Sequence, residues 1–313
     1  MAQAMLSAAL AIVFSRRKPR LDFSMSARPN TEIIDRQDGA GYTALVLAGK
    51  RPGVDPVAAL QGETYKAKVM VGGVPMLTRV IAALGKSQNI GHTVVIAGET
   101  LGDIHDIKGL AAAAGGMNLS VVPARDSISD SVLAAISSRP AGENFLITTS
   151  DHPLLTGAMI DDFLGAAAKK GISIAFVTRQ VIESAHPGMR RTYLPFRGAK
   201  VSGANLFAVS GTDALPVIKL FQKIEANRKS PIKMAAIFGP LNLAGFVLRV
   251  FTLEQAFGRL SRVLDCALQP VLLRHANAAV DVDKPADMET VEALLAAGSP
   301  APRQKQSNAS LET

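Results

Sequence analysis

Short apolar runs without polar interruption recur along the sequence as far as residue 178. Such runs, bounded by glycine or polar residues, predict buried strands at residues 43–48, 93–97, 119–122, 144–149 and 172–178. The segments between them predict helices at residues 75–84, 104–114, 129–137 and 157–169. Continuous apolar strands that alternate with helices indicate a mostly parallel sheet covered by helices on both faces.

The pattern changes after residue 178. Residues 179–200 are basic and contain two prolines and two glycines, which favours a loop or a short hairpin. Strands are predicted at residues 201–209 and 278–282, and helices at residues 213–225, 231–238, 253–260 and 285–297. We therefore predict one folded domain over residues 42–297, a disordered or leader segment at 1–41, and a disordered tail at 298–313.

The positive charge of the protein is concentrated in one stretch. The formal net charge is +8, and residues 179–262 hold 13 Lys and Arg against four Asp and Glu. This basic region, predicted to be largely helical over residues 179–263, suits an anionic partner such as nucleotide phosphates, a phosphorylated substrate or acidic lipid headgroups. Nucleic acid is not expected, because no Cys/His finger, aromatic RNA-binding strand or basic helix with heptads is recognisable.

Two features bear on location. The single cysteine, Cys266, excludes an internal disulfide and fits a reducing compartment, so a cytoplasmic protein is expected. An apolar run at residues 5–14 is too short to span a bilayer, which needs roughly 20 apolar residues, and no basic residues precede it as in a signal peptide. We interpret this run as an unstructured leader or a misassigned start, with a weak membrane-surface anchor as the alternative.

The loops that follow the strands are the expected place for a ligand. In a parallel sheet, ligands bind beyond the carboxyl ends of the strands. The first of these loops reads Leu47-Ala48-Gly49-Lys50-Arg51-Pro52-Gly53, and its backbone N–H groups can face phosphate oxygens, with Gly49 allowing close approach. Neither common glycine pattern for phosphate binding is present, so the loop alone is equally compatible with an ordinary turn.

Charged residues at three further points are candidates for chemistry. Lys66 and Lys68 share a face if their segment is extended, and one of them can reach a triphosphate, unless both are solvated surface lysines. Asp151 directly follows an apolar strand, where it is placed either to hold Mg²⁺ or to cap a turn. Asp281 and Asp283 also share a face if extended, although Asp283 is equally suited to cap the helix predicted after it.

Taken in order, four segments resemble the sugar-nucleotidyltransferase-like superfamily, and more narrowly its MobA-like NTP transferases, related to the molybdenum cofactor guanylyltransferase. They are Leu47-Ala48-Gly49, Lys66 with Gly73-Val74-Pro75-Met76-Leu77, Asp151-His152-Pro153-Leu154-Leu155, and residues 281–288. The resemblance covers residues 42–297 and implies a three-layer αβα, Rossmann-like nucleotide-diphospho-sugar transferase (GT-A-like) fold. The sequence departs from the family pattern where Arg51 follows Gly49 by only two residues, and where Lys284 and Ala286 replace Thr and Glu.

The resemblance implies a Mg²⁺-dependent nucleotidyltransferase. It would transfer NMP from an NTP, expected to be GTP or CTP, to a small phosphorylated or other oxyanion acceptor, and it would release pyrophosphate. The implied catalytic residues are Lys66, Arg51 and Asp151, and the implied Mg²⁺ ligands are Asp151 with Asp281 or Asp283. The implied nucleotide-binding residues are Leu47, Ala48, Gly49, Arg51, Lys66 and Ser131, the last within a loop at residues 124–131 that would recognise the base. Asn205 is expected to touch the acceptor.

Three other interpretations stay open. A GT-A glycosyltransferase would place Asp-x-Asp after a middle strand, and the Ser150-Asp151-His152 found here counts against it. A regulatory protein whose nucleotide site no longer turns over is compatible with the altered first loop. The partly apolar, basic stretch at residues 240–251, together with the N-terminal run, could bring the enzyme weakly to a membrane surface.

Overall fold

A computed structural model describes residues 41–50, 53–98, 101, 104–140, 142–211, 218 and 239–298. Its strands are β1 (Tyr42–Leu47), β2 (Met70–Val71), β3 (Val74–Pro75), β4 (Ile90–Ala97), β5 (Asn118–Pro123), β6 (Asn144–Thr149), β7 (Gly171–Thr178), β8 (Leu194–Phe196), β9 (Ala199–Ser210) and β10 (Leu268–Leu273). Its α-helices are α1 (Pro56–Ala59), α2 (Met76–Lys86), α3 (Leu110–Ala114), α4 (Ile128–Ser137), α5 (Gly157–Ala166), α6 (Arg179–Ala185), α7 (Pro240–Val247), α8 (Leu253–Leu264) and α9 (Pro285–Gly298). Short 3-10 helices span Lys66–Lys68, Ile104–Asp106 and Ala276–Ala279.

The strands form one large mixed sheet. Its order is β10-β7-β9-β6-β1-β4-β5, with β8 paired to β9, while β2 and β3 form a separate two-stranded sheet. Strand β1 is parallel to both of its neighbours, β4 and β6, and the pairs β4–β5 and β10–β7 are also parallel. Strand β9 runs antiparallel to β6, β7 and β8. The prediction of a mostly parallel sheet is therefore confirmed.

Helices cover both faces of this sheet, as the continuous apolar strands require. Alternate residues of β1 enter two different cores: Ala44 and Val46 belong to the core under α2 and α5, and Leu45 belongs to the core under α4 and α8. All three of these side chains are fully buried. The fold is the three-layer αβα arrangement that the sequence indicates.

The five strands predicted up to residue 178 are confirmed as β1, β4, β5, β6 and β7, and the predicted strand at 201–209 is confirmed as β9. The helix predicted at residues 104–114 is wrong as a single element. It is divided into a 3-10 turn and the short α3, because Gly109 between them has a φ of 73°, which an α-helix does not accommodate. The helices predicted at 213–225 and 231–238 fall almost entirely outside the described residues.

Two predictions for the later part of the chain are corrected. The segment at 179–200 is not only a hairpin, because it begins with helix α6, whose N-terminus Thr178 caps by accepting a hydrogen bond from the backbone N–H of Val181. The last strand is not at 278–282, where a 3-10 helix and an irregular segment lie. It is β10, which the sequence analysis does not predict and which contains Pro270; a proline is tolerated there because β10 is an edge strand.

Among the described residues, no helix combines the length and the apolar character that crossing a bilayer requires.

The packing of the core under α4 and α8 can be tested at Phe176 of β7. Its side chain is fully buried and meets the ring of Phe257 edge-on, with 5.7 Å between the ring centroids. We expect Phe176→Ala to lower the free energy of unfolding by about 3–5 kcal/mol, because the lost contacts leave a cavity. Leu272, the register partner of Phe176 on β10, is 47% exposed, so Leu272→Ala should cost about 1 kcal/mol or less. Urea unfolding of both variants measures the difference, and equal losses would contradict this account of the core.

Candidate active site

The loops after the central strands converge on one edge of the sheet. The backbone N–H of Ala48 donates to the carbonyl of Ile96 over 2.8 Å, and the N–H of Ser150 donates to the carbonyl of Leu47 over 3.0 Å. These bonds continue the pairing of β1 with β4 and β6 beyond the last strand residues. The predicted first loop and the segment that carries Asp151 therefore begin side by side.

The loop after β5 reaches the same edge. A Cβ atom added to Gly49 would lie 3.5 Å from the Cβ of Ala124, so the first loop passes directly beside the loop at residues 124–131. That loop is closed by Ser131 at its far end. The Ser131 hydroxyl accepts a hydrogen bond from the N–H of Arg125 over 2.8 Å and donates to the carbonyl of Ser127 over 2.7 Å.

Lys66 joins three distant parts of the chain. Its ammonium nitrogen lies 2.7 Å from Asp151 Oδ2 and 2.9 Å from Asp283 Oδ1. The expectation of an extended segment with Lys66 and Lys68 on one face is wrong, because these residues form a 3-10 turn. The turn directs Lys66 to the sheet edge, and three of the residues predicted from the sequence meet there.

The charges of this group stabilise each other. The side chains of Lys66 and Asp151 are only 16% and 13% exposed. Burial opposes the charged form of each, but the two carboxylates raise the pKa of Lys66, and the Lys66 ammonium lowers the pKa of Asp151 to about 2. Both groups are therefore charged near neutral pH. Asp151 Oδ1, the second oxygen of this carboxylate, is buried and has no hydrogen-bond partner among the described residues.

A nearby aspartate leaves Asp283 available for Lys66. Asp287, in the first turn of α9, accepts hydrogen bonds from the N–H groups of Asp283 and Lys284 over 3.0 and 2.8 Å. This is the reach-back contact that caps a helix N-terminus. Because Asp287 supplies the cap, the Asp283 carboxylate faces the lysine instead.

A second group of paired charges lies beside the first. Arg191 and Asp281 form a short salt bridge through Nη2 and Oδ1, and their side chains are only 8% and 11% exposed. The other carboxylate oxygen of Asp281 accepts a hydrogen bond from Asn205 Nδ2 over 3.0 Å. Both oxygens of Asp281 are thus engaged. The sequence does not single out Arg191, whose only signal is its place in the basic region.

A bulge in strand β9 places Asn205 in this group. The register between β7 and β9 shifts between Ile174 and Phe176, where β9 carries extra residues. Asn205 lies within this bulge with a φ of 51°, a left-handed conformation that asparagine adopts more readily than most residues. Bulges commonly redirect a side chain beside a binding site, and this one brings the Asn205 amide to Asp281.

One short segment connects the two groups. The N–H of Val282 donates to the carbonyl of Asp151 over 3.0 Å, which fixes the segment against the end of β6. Asp281 and Asp283, on either side of Val282, then pair with different cations. They do not face one partner together, as the extended strand expected from the sequence would have required.

Comparison with known proteins agrees with this architecture. A family model described as the MobA-like NTP transferase domain matches residues 44–215, more than half of the chain. The chain belongs to the MobA-like NTP transferase family. The matched residues include Lys66, Asp151 and Asn205, whereas Asp281 and Asp283 lie beyond them. No curated protein matches the chain.

Solved structures resemble this MobA-like transferase in fold. A hypothetical transferase from Thermus thermophilus is 23% identical, with a TM-score of 0.65, over 79% of this chain and 99% of that one. A CMP:2-keto-3-deoxy-manno-octonic acid synthetase complexed with CTP is 15% identical, with a TM-score of 0.48, over 82% and 99% of the two chains. A 4-diphosphocytidyl-2C-methyl-D-erythritol synthase from Anaerococcus prevotii is 10% identical, with a TM-score of 0.48, over 82% and 100%. The fold is the Rossmann-like nucleotide-diphospho-sugar transferase fold.

The three aspartates predicted as metal ligands of this MobA-like transferase have different partners in the structure. Among the described residues, no three His, Cys, Asp or Glu side chains are grouped as a metal site. Asp281 is engaged by Arg191 and Asn205, while Asp151 and Asp283 lie on either side of Lys66. A magnesium site therefore stays a prediction, and the arrangement favours Asp283 over Asp281 as the partner of Asp151.

His152 lies next to Asp151 but turns into the protein. It is 1% exposed, and its Nε2 hydrogen-bonds the carbonyl of Asn277 at 3.2 Å. Burial lowers the pKa of His152, so the ring is neutral near pH 7. Asn277 in turn bonds His186 Nε2 through its side-chain oxygen at 2.6 Å. The histidine therefore supports the turn that follows β6.

The other residues predicted to bind the nucleotide are those of the first loop, Ser131 and Arg51. Leu47, Ala48 and Gly49 lie at the sheet edge, as expected for a nucleotide loop. The hydroxyl of Ser131 is used inside its own loop, so the nucleotide role predicted for Ser131 would act through the loop backbone. Arg51 lies outside the described residues.

The Asp151–Lys66 pair makes the stability of this transferase depend on pH. Because the pKa of Asp151 is lowered from 3.8 to about 2 on folding, the contribution is present above about pH 4 and is lost as the pH falls towards 2. We expect Asp151→Asn to be less stable than the parent protein by about 2 kcal/mol at pH 6, and by roughly half of that at pH 3. Urea unfolding in EDTA at both pH values measures this difference in the free energy of unfolding.

Asp162→Asn is a matched control for this measurement. The Asp162 carboxylate is on helix α5, is 65% exposed and bonds His275 Nε2 at 2.6 Å, an exposed pair that contributes little to stability. Its variant should stay close to the parent protein at both pH values. If the loss of stability in Asp151→Asn is the same at pH 3 as at pH 6, the charge pair does not stabilise the fold.

Proposed function

We propose that this MobA-like transferase transfers NMP from an NTP to an oxyanion acceptor, in a Mg²⁺-dependent reaction that releases pyrophosphate. The observation that carries the proposal is the ion group of Lys66, Asp151 and Asp283 at the carboxyl edge of the sheet. Ligands of parallel α/β sheets bind at this edge. A lysine and two carboxylates there match what triphosphate chemistry needs, namely a cation for the phosphates and hard oxygen ligands for a metal ion.

The charge of the site argues that added cations accompany the nucleotide. Lys66 and Arg191 bring two positive charges, and Asp151, Asp281 and Asp283 bring three negative charges. The two paired groups together therefore carry a net negative charge. Even with the positive charge proposed for Arg51, these groups would not neutralise a triphosphate, so a metal ion would have to enter with it.

The residues at the site fit Mg²⁺. Carboxylate oxygens are its preferred protein ligands, and Asp151 Oδ1 is a buried oxygen without a hydrogen-bond partner among the described residues. Asp151 and Asp283 would hold the ion. When bound, Mg²⁺ neutralises phosphate charge and makes the α-phosphate more susceptible to attack.

The protein's own contribution is alignment and charge. Lys66, once its carboxylate partners are taken up by the metal ion, would pair with triphosphate oxygens. The backbone N–H groups of the loop that begins at Ala48 would bind further phosphate oxygens, and Arg51 would add a positive charge. The loop at residues 124–131, closed by Ser131, would contact the base, for which we propose guanine or cytosine. In-line attack by the acceptor then needs little more from the protein than fixed positions.

The acceptor side of the reaction would lie beyond the Val282 segment, around Asn205. We propose a small phosphorylated acceptor, because its phosphate oxygen is a suitable nucleophile for the α-phosphate. A cytoplasmic location and a weak association with membrane surfaces stay predictions.

The proposal is tested by nucleotide binding and by turnover. We expect one of the four NTPs with Mg²⁺, and not with EDTA, to raise the melting temperature, because a ligand bound only to the native state stabilises it. With that NTP and a panel of sugar and polyol phosphates, Asp151→Asn should lower pyrophosphate release by at least about 100-fold, the usual cost of losing one charge-stabilising group. Lys66→Ala should weaken NTP binding.

Asp162→Asn again serves as the control and should leave binding and turnover unchanged. If no NTP stabilises the protein in the presence of Mg²⁺, the nucleotidyltransferase proposal is wrong. If the NTP binds but no acceptor in a broad panel yields pyrophosphate, the regulatory alternative is favoured instead.

A further inference from the structure

Buried polar atoms without a hydrogen-bond partner are concentrated at one end of the sheet. In the part of the chain that the structure describes, these atoms belong to Thr148, Thr149, Asp151, His152, Arg191, Tyr193 and Ser202. The first four are at the end of β6, where the proposed nucleotide site lies. The other three form a separate set on the segment that enters β8 and on the facing strand β9. Such atoms are rare in folded proteins and commonly mark a place for a ligand or a bound water.

The three atoms of the second set belong to neighbouring positions. The antiparallel β8–β9 ladder ends at the pair Leu194–Val201, and one further step in the same register would bring Tyr193 beside Ser202. Arg191 is two residues before Tyr193, in the segment that enters β8. The charge of Arg191 also acts on Tyr193: burial and Glu183 raise the pKa of the phenol, while Arg179 and Arg191 oppose that rise.

The orientation of Arg191 is fixed by its partners. Nη2 donates to Asp281 Oδ1, and Nη1 lies 3.4 Å from the Asp281 carbonyl oxygen, while Asn205 holds the second carboxylate oxygen of Asp281. The guanidinium is therefore clamped from one side. Its Nε–H is left without an acceptor, although the side chain is only 8% exposed.

The chemistry of these atoms restricts the ligand. Arginine Nε–H can only donate, so its partner must be an acceptor atom. A hydrogen bond from a charged guanidinium is strongest to an anionic oxygen. The Tyr193 hydroxyl can donate to the same group. A phosphate or a carboxylate meets both requirements.

We propose that Arg191 and Tyr193 form an acceptor subsite that binds an anionic oxygen of the acceptor, with Asp281 and Asn205 as positioning residues for Arg191. The inference rests on the proposed function for the identity of the ligand as the acceptor. The subsite is next to the nucleotide site, because Val282, between Asp281 and Asp283, is bonded to the backbone of Asp151. Asn205 and Asp281 then act on the acceptor through Arg191.

The three tyrosines of the chain offer a direct readout. Protein labelled with ¹³C at the tyrosine ζ carbon should give three signals, and Tyr193→Phe assigns the one that belongs to Tyr193. The Tyr42 hydroxyl already bonds Ser210 Oγ at 2.7 Å, so its signal is an internal reference. We expect inorganic phosphate or acetate, titrated in EDTA, to shift the Tyr193 signal in a saturable manner. A response to phosphate alone assigns a phosphorylated acceptor, and a response to acetate alone assigns a carboxylate.

Two matched variants test the role of Arg191. Arg191→Lys keeps a charge for Asp281 but removes the Nε–H fork, and we expect it to weaken anion binding by about tenfold or more. Arg190→Lys makes the same change at the exposed neighbouring position and should leave the affinity unchanged. Tyr193→Phe removes a hydroxyl that bonds nothing among the described residues, so its melting temperature should match the parent protein while its anion affinity, measured by calorimetry, falls.

The result of this anion-binding test is independent of the NTP-binding test of the proposed function. If neither anion shifts the Tyr193 signal, or if Arg191→Lys and Arg190→Lys bind equally, the subsite is refuted and the unpartnered atoms hold water instead, even when an NTP binds with Mg²⁺. If the Tyr193 signal shifts and depends on Arg191 but no NTP stabilises the protein, the anion subsite stands and the nucleotidyltransferase proposal fails.

Discussion

The arrangement of this protein depends on one buried cation, the ammonium of Lys66, held between Asp151 and Asp283. The three residues come from the start, the middle and the end of the folded chain, and each reaches the sheet edge from a different local structure: a 3-10 turn, the end of a central strand, and the segment before the last helix. Burial alone would disfavour the charges of Lys66 and Asp151, and the contact between them reverses that effect. Opposite charges must therefore be present together at this edge for either to be stable there, and the same charges are the ones that the proposed triphosphate and metal ion would use.

The edge is divided into two charge groups with different surroundings. The Lys66 group contains an unpartnered carboxylate oxygen and an aspartate that is 45% exposed. The Arg191 group has both oxygens of its aspartate engaged and is more deeply buried. In the proposed reaction this contrast would suit two substrates, since the open group would receive the nucleotide and the closed group would hold the acceptor. The bulge in β9 and the left-handed backbone of Asn205 belong to the Arg191 group, where the strained residue makes a buried hydrogen bond to Asp281.

Much of the fold could be predicted from the sequence because the buried strands are continuous and apolar, and their order fixes which loops share an edge. Lys66 and Asp151 could be found for the same reason, since each belongs to a motif beside a strand. What could not be predicted depends on tertiary contact. The apolar run at residues 271–273 is too short to predict a strand by itself, and Pro270 before it is tolerated in β10 only because that strand lies at the edge of the sheet. Nothing near Arg191 indicates its partner, which lies 90 residues further along the chain. The preference for Asp283 over Asp281 as a proposed metal ligand likewise depends on which cation each meets in the folded protein.

Asp281, Val282 and Asp283 form one short segment that belongs to both charge groups. Val282 is fully buried and bonded to the backbone of Asp151, and the carboxylates on either side of it pair with different cations, Arg191 and Lys66. The spacing between the two groups is therefore set by a single tripeptide. A substitution that displaces Val282 would disturb both charge pairs at once, although its own side chain contacts neither cation through a polar atom.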